Sequence, residues 1–519
     1  MKNIFATLLA LLFIGTLAAQ SYSVDWGGEY RRSGGIFSNF FLAGITDDAY
    51  HMLLYTRKET TLFSYNWDHR LIGTKQVDFN TGRDEMFLNE FVRTQRGNFA
   101  VLRQYDRRAK ELRTYLSYFN NQSFEGLLQI AAQPMRQRTA NEFLGGNPDP
   151  TNTDIFEPLV TSPDRSKAVF TNINVDRERN EPETVSLSVF DAGFNPLWNK
   201  TYSLPYNELD AQITRSVISN AGEVYLLVKI RIRGSERRQA AGLPPYRYEL
   251  FKFTADGEVA QLDIDLPSNT APQYTGLYVS NVPDEPVVVA GMYTDSDRRS
   301  NLKGAFLVEI DEDFEISSTN TSEFSSAFLE NLVSNRANKR DQGLDNDFVI
   351  RSFVRFNDGK LGFVAEETFI TTVIDNTAGT IGTNRTRYIF HTNELVIVIF
   401  SPEGELVDMQ KIDKEFSSST PMTTSFATAV VDDQLFIVYN DQKNRRERKA
   451  IRGKGGGALF TDLTVIDGEG EIIYQESLFT SDATDRKAFI PRQSDYNNER
   501  MVLLARSAKF FQCGLLHFE

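Results

Sequence analysis

Short runs in which apolar and polar residues alternate fill this chain, and sustained helical periodicity is nearly absent. Alternation sends successive side chains to opposite faces, so each run predicts a strand with one or both faces covered. The clearest case is Leu463 to Leu478, where an apolar strand enters the turn Asp467-Gly-Glu-Gly-Glu471 and a second, alternating strand leaves it. Variants of this hairpin recur at irregular intervals of roughly 50–90 residues, which is the mark of a repeat architecture.

Grouping the strands four to a unit, A to D, gives a consistent reading. Unit one takes 40–45, 51–55, 61–65 and 71–79, and unit two takes 87–92, 99–102, 112–119 and 127–131. Unit three shows 167–171, 185–190 and 197–204; unit four, 213–218, 224–232, 248–253 and 259–266. Unit five shows 277–280, 287–292 and 305–310; unit six, 349–356, 361–365, 395–400 and 406–412. Unit seven has 426–431, 435–439 and the hairpin at 463–478. A last, truncated unit has 488–491, 501–505 and 510–518, and Ser21 to Trp26 can supply its fourth strand. The predicted fold is all-β: a single β-propeller of four-stranded antiparallel blades, eight favoured and seven possible, closed by N- and C-terminal strands. Such closure removes the open sheet edge that a linear array would expose. Stacked β-sandwiches, the competing architecture, predict a Pro/Gly/Ser-rich linker that the sequence does not show.

These repeats, Leu463 to Leu478 among them, resemble the secreted bacterial β-propeller proteins that carry signal peptides and have no assigned activity. Trp-Asp, kelch and Asp-box signatures do not repeat; Trp67-Asp68 is a single occurrence. The resemblance implies a propeller outside the cytoplasm and supplies no functional residue. Composition agrees with a packed core: the 519 residues are 41% apolar and include 39 Phe and 20 Tyr. Met1-Lys2-Asn3, the apolar run Ile4 to Leu17 and Ala18-Ala19-Gln20 read as a signal peptide over 1–19, leaving 20–519 as the propeller domain. The expected location is therefore periplasmic or extracellular, with no lipid-anchor Cys after the cleavage point and no transmembrane segment. Cys513, the only cysteine, falls in an apolar strand and reads as a small buried hydrophobe, so no internal disulfide is available.

Charge changes the picture more than composition does. The total is −14. Within each blade the B–C loop and the D–A connection leave one end, and the A–B and C–D turns leave the other. C–D turns such as Asp256-Gly-Glu258, Asp311-Glu-Asp313 and Asp467 to Glu471 are short and acidic, ordinary turn chemistry without the alternating ligands of a calcium loop. The B–C loops, taken as 56–60, 103–113, 175–184, 229–247, 294–303, 369–391, 441–458 and 506–509, hold 29 Lys and Arg against 13 Asp and Glu. Candidate ligand-binding residues are Arg107, Arg108, Arg231, Arg233, Arg237, Arg238, Arg298, Arg299, Arg385, Arg387, Arg445, Arg446, Arg448 and Lys449. Arg predominates, which suits bidentate contact with carboxylate, sulfate or phosphate. The plainer reading is that these cations pair with acidic neighbours in adjacent blades.

The segment Phe324 to Gly343 departs from strand pattern and predicts a short helical insertion, with Phe324, Phe328, Leu329 and Leu332 on one side. The loop 369–391 reads as mobile. Four His share no metal-ligand spacing, and no His-Glu-x-x-His, Gly-x-Ser-x-Gly or P-loop occurs, so neither metal nor cofactor is expected. One enzymatic alternative is an anionic-polysaccharide lyase, in which Arg385 and Arg387 neutralise a uronate and Tyr388 or His391 moves the proton. Nucleic acid would need more stacking aromatics than Tyr246 and Tyr248 offer beside Arg247. The reading favoured by the sequence is a non-enzymatic binding or scaffold propeller, monomeric or part of a cell-envelope assembly. Its Arg-rich loops would face an anionic glycan or an acidic protein surface.

Overall fold

The computed structural model describes residues 22–31, 39–55, 59–79, 86–120, 123–137, 158–173, 181–232, 246–267, 270–295, 302–329, 347–375, 385–419, 421–442, 459–481, 487–507 and 510–518. The expected signal peptide at 1–19 lies outside them. No helix among the described residues is long and apolar enough to cross a membrane.

The fold is an eight-bladed β-propeller of four-stranded antiparallel sheets, built from consecutive strands in seven of the blades. Its residues divide into two compact units. Residues 33–421 carry blades 1–6, and residues 1–32 with 422–519 carry blades 7 and 8. In blade 8 the N-terminal strand Val24–Arg31 pairs antiparallel with Phe510–His517, as the fourth strand missing from the C-terminal sequence. Gly514 makes that pairing possible, because a Cβ there would collide with Val24 and come within 3.0 Å of the Trp26 ring.

Alternation becomes core in a regular way. The middle strands of each blade are buried on both faces, and apolar residues from adjacent blades meet between them. Phe41, Leu53 and Leu62 of blade 1 join Leu88, Ala100 and Leu102 of blade 2. Val185, Leu187 and Val189 of blade 3 meet Leu226, Val228 and Phe251 of blade 4. Each such side chain contributes about 1.5–3 kcal/mol of burial, which replaces the disulfides this chain lacks. Outer strands read differently: Leu71–Val77 is exposed along most of its length. Blades 7 and 8 are joined by Asn440, whose fully buried amide donates to Thr423 O and Phe489 O, both at 2.8 Å, and accepts from Phe489 N and Thr461 Oγ1, both at 3.0 Å. Every polar valence of that amide is used, as a buried polar group requires.

Six C–D hairpins share one turn. In the last of them Asp467 N donates to Glu471 O, Gly470 N donates to Asp467 O, and Asp467 Oδ1 accepts from Glu469 N and Glu471 N. The same backbone pair closes the turns that begin at Asn66, Asp191, Thr254, Asp311 and Ser401. The fourth residue is left-handed in each: His69, Phe194, Gly257, Phe314, Gly404 and Gly470. Five A strands carry a single-residue β-bulge, at Ala43, Asn89, Thr214, Gln273 and Arg351. A–B turns of blades 2 to 5 bond in succession: Gln95 Nε2 donates to Asp164 O, Asp164 N to Asn220 Oδ1, and Asn220 Nδ2 to Asn281 Oδ1.

Several boundaries differ from the sequence reading. The inner strand of blade 3, Leu159–Thr161, is three residues between Pro158 and Pro163, too short to show alternation. The predicted loop 103–113 is largely strand, since B runs to Asp106 and C starts at Glu111, and 229–247 is strand at both ends, to Arg231 and from Tyr246, with 233–245 outside the described residues. The segment 369–391 is not a loop at its flanks, since Leu361–Asp375 and Arg385–Phe400 form one long ladder with 376–384 outside the described residues. Of the predicted insertion, 326–329 is helical, with Phe328 and Leu329 packed on the blade 5–6 core beside buried Phe324; 330–343 lies outside the described residues.

Candidate functional site

The B–C ends of blades 2, 4 and 6 concentrate the described cations. In blade 2 the hairpin Gly97–Asp106/Glu111–Phe119 closes over four residues. Asp106 Oδ1 accepts the N–H groups of Arg108 (2.8 Å) and Ala109 (3.0 Å), and these bonds, aided by Arg113, hold its carboxyl below the usual range. Arg113 is fixed between Asp106 (2.9 Å) and Glu111 (3.4 Å). Arg107 and Arg108 stand exposed at the tip. One turn lower, Arg103 is only 9% exposed; its Nε has no hydrogen-bond partner among the described residues, and burial lowers its pKa against the pull of Glu90.

Blade 4 repeats the theme with different partners. On the face toward blade 5, Lys229 and Arg231 lie opposite Tyr248 and Tyr246. The Lys229 ammonium sits 4.4 Å from the Tyr246 ring centroid. On the face toward blade 3, the fully buried Glu249 takes Tyr206 Oη at 2.5 and 2.7 Å, Arg247 at 2.9 Å and Gln261 at 2.8 Å. Burial raises the Glu249 pKa, with Tyr206 and Arg247 opposing it. Arg231 is exposed at the strand end.

In blade 6 a buried ionic network underlies the long hairpin. The A-strand bulge turns Arg351 onto Glu366 (3.2 Å), and the fully buried Lys414 pairs with the same carboxylate. Asn393 Nδ2 donates to Glu367 (3.1 Å), while Lys411 bridges Glu394 (3.6 Å) and Asp413 (3.1 Å). His391 stacks on Phe369 at 4.3 Å; its Nε2 is bonded to Thr371 Oγ1 (2.8 Å) and its Nδ1 to Ser417 Oγ (2.9 Å). Both nitrogens are thus engaged by hydroxyls. Tyr388, three positions away in an unbroken strand, lies on the opposite face.

Of the sequence-predicted residues, Arg107 and Arg108 share the blade 2 turn and Arg231 ends a blade 4 strand. Arg385 and Arg387 are strand positions, paired in register with Asp375 and Val373. Arg233, Arg237, Arg238, Arg298, Arg299, Arg445, Arg446, Arg448 and Lys449 lie outside the described residues. Arg113, Lys229 and Arg247, counted above as loop charge, are strand residues, and carboxylates neutralise Arg113 and Arg247. The sequence reading missed Arg351, Lys411 and Lys414, whose partners Glu366 and Glu394 lie within strands B and C of the blade. Among the described residues no cluster of three or more His, Cys, Asp or Glu is placed to hold a metal ion.

No family model matches the chain, and no curated protein matches it. Among solved structures it is similar to the Dos1 propeller, at 8% identity and a TM-score of 0.42, covering 95% of each chain. A protein from Lactobacillus plantarum matches at 10% identity and a TM-score of 0.37, over 86% of this chain and 96% of that one. A prolyl endopeptidase structure matches at 10% identity and a TM-score of 0.41, over 91% of this chain and 55% of that one. The chain thus spans about half the length of that endopeptidase.

Proposed function

We propose that this propeller is a non-enzymatic binding or scaffold protein, exported from the cytoplasm, whose B–C ends engage an anionic partner such as a glycan or an acidic protein surface. One observation carries the reading. At the described B–C ends carboxylates fix an inner set of cations, Arg113 and Arg247, while Arg107, Arg108 and Arg231 extend exposed beyond them. Inner pairing orders the strands and leaves the outer guanidinium groups for bidentate contact with carboxylate or sulfate. The Arg and Lys of 233–238, 298–299 and 445–449 add to the same ends of their blades in sequence. A local positive surface steers anions even on a chain of net charge −14.

The test is binding to immobilised sulfated polysaccharide and to polyglutamate across a salt series. Affinity for at least one should fall steeply with salt. It should also drop roughly tenfold or more in an Arg107→Glu/Arg108→Glu/Arg231→Glu variant, the loss expected when repulsion replaces attraction at several contacts. Binding to neither, or binding indifferent to the triple substitution, rejects the reading.

A further inference from the structure

A buried cation needs a counter-ion, and a guanidinium cannot avoid the need by losing its proton. Two buried lysines of blade 6 follow the rule. Lys414 pairs with Glu366, and Lys411 bridges Glu394 and Asp413. Arg103 of blade 2 departs from it. The residue is 9% exposed, and its Nε has no hydrogen-bond partner among the described residues. Glu90 is the carboxylate whose field reaches it, yet the two form no ion pair among the described residues, and Glu90 Oε1 accepts from Asn89 Nδ2 (3.1 Å).

The fold fixes where this group sits. Strand B of blade 2 pairs with strand C without a bulge, so Val101, Arg103 and Tyr105 point to the same face. Val101 packs with Leu159 and Phe170 of blade 3, which places Arg103 in the seam between blades 2 and 3. Phe87 and Thr114 stand beside it in register on strands A and C. Toward the B–C end, Tyr105 Oη donates to Met135 O (3.1 Å), and Gln133 Nε2 donates to Ile173 O across the seam. The exposure that Arg103 retains means that the seam is not sealed over it.

We propose that Arg103 anchors a carboxylate-binding site in this seam. The Nε–Nη2 edge of a guanidinium presents two parallel N–H groups, which a carboxylate accepts together. The Nε half of that edge is without a partner. Phe87, Val101 and Leu159 line the seam with apolar surface, which suits an anion carrying a short apolar tail. Sulfate would lose its hydration there for a single cation. The ligand class is therefore a small organic monocarboxylate. The site is independent of the exposed Arg107 and Arg108 and of the polyanion binding proposed for them.

Propionate at neutral pH is the probe, followed by saturation-transfer NMR on the full chain. Wild type should bind it. Arg103→Met, which keeps the stem and removes the charge, should bind roughly tenfold or more weakly, the loss expected for a charge-assisted bidentate contact. Arg107→Gln/Arg108→Gln should bind within about twofold of wild type, as a separate site requires. Polysaccharide binding by Arg103→Met should match wild type, so either proposal can fail alone. Stability separates a supplied carboxylate from one that belongs to this chain. Without ligand, Arg103→Met should melt no lower than wild type, because the substitution removes an uncompensated buried charge. Propionate should raise the melting temperature of wild type and leave that of Arg103→Met unmoved. An Arg103→Met protein that is destabilised or unfolded overturns the inference, since a carboxylate of the chain itself would then hold the guanidinium. So does a wild type that does not bind propionate, binding indifferent to Arg103→Met or lost with Arg107 and Arg108 instead, or displacement by an equal concentration of sulfate.

Discussion

His51 shows how much a single side chain can commit when it is buried. Its Nδ1 is bonded to Ser64 Oγ at 2.9 Å, its ring meets Phe119 edge-on, and its Nε2 has no hydrogen-bond partner among the described residues. Burial lowers its pKa from 6.5 to about 4. A folded pKa below the unfolded value means that the neutral ring is favoured in the folded state. The resulting stability is fully present above pH 6.5 and is lost as pH falls toward 4. At about 1.4 kcal/mol per pKa unit, the loss is of order 3 kcal/mol. Urea denaturation should therefore show wild type weakening between pH 7 and pH 4.5, and a His51→Leu variant losing less over that interval. Equal pH slopes in the two proteins would count against this account. From the sequence His51 was legible as a strand histidine; its orphaned nitrogen depended on which residues the neighbouring blade brings to it.

At the scale of the element, the acidic C–D turns turn out to be backbone devices. Asp467 Oδ1 caps two amides, and Asp191 and Asp311 use the same oxygen for the same purpose in their own turns. Asp467→Ala removes two charge-assisted bonds and should cost about 1–3 kcal/mol in chemical denaturation. Asp467→Asn, which keeps the accepting oxygen, should cost less than half as much. Added calcium should move neither midpoint. These turns were readable because Asp, Gly and their spacing act locally. The B–C ends were not. There the strands continue past the point where their own sequence turns polar, because a partner strand and a buried counter-ion support them. Glu366 and Lys414 lie 48 residues apart in sequence and meet only in the folded blade. Removing one partner of such a pair strands a buried charge, which is why sequence polarity there reads as loop and structure gives strand.

For the molecule as a whole, the two ends of the chain meet in one sheet, that of blade 8. The N-terminal strand reaches blade 8 through Val24 and Trp26 packed over Gly514, and Trp26 meets the Phe479 ring edge-on at 4.8 Å. Gly514→Val forces that strand outward. It should destabilise by about 3 kcal/mol or more, as overpacking of a tight site does, and should lower the melting temperature with it. Cleavage near Arg31 and Arg32 by trypsin, faster in the variant than in wild type, would report release of the strand. No change in either measurement would mean that closure does not rest on this contact.

The four-stranded repeat and the borrowed last strand were legible in the sequence, with eight blades favoured over seven, because alternation is local and a missing strand at one end matched a spare one at the other. So was the surplus of Arg and Lys in the segments joining strands B and C. Tertiary structure alone decided which of those cations are spent on carboxylates and which remain exposed, and it alone carried strands B and C of blade 6 out to Asp375 and Arg385. Both depend on where a neighbouring strand stops. That is set by pairing between segments far apart in the chain, and no local pattern encodes it.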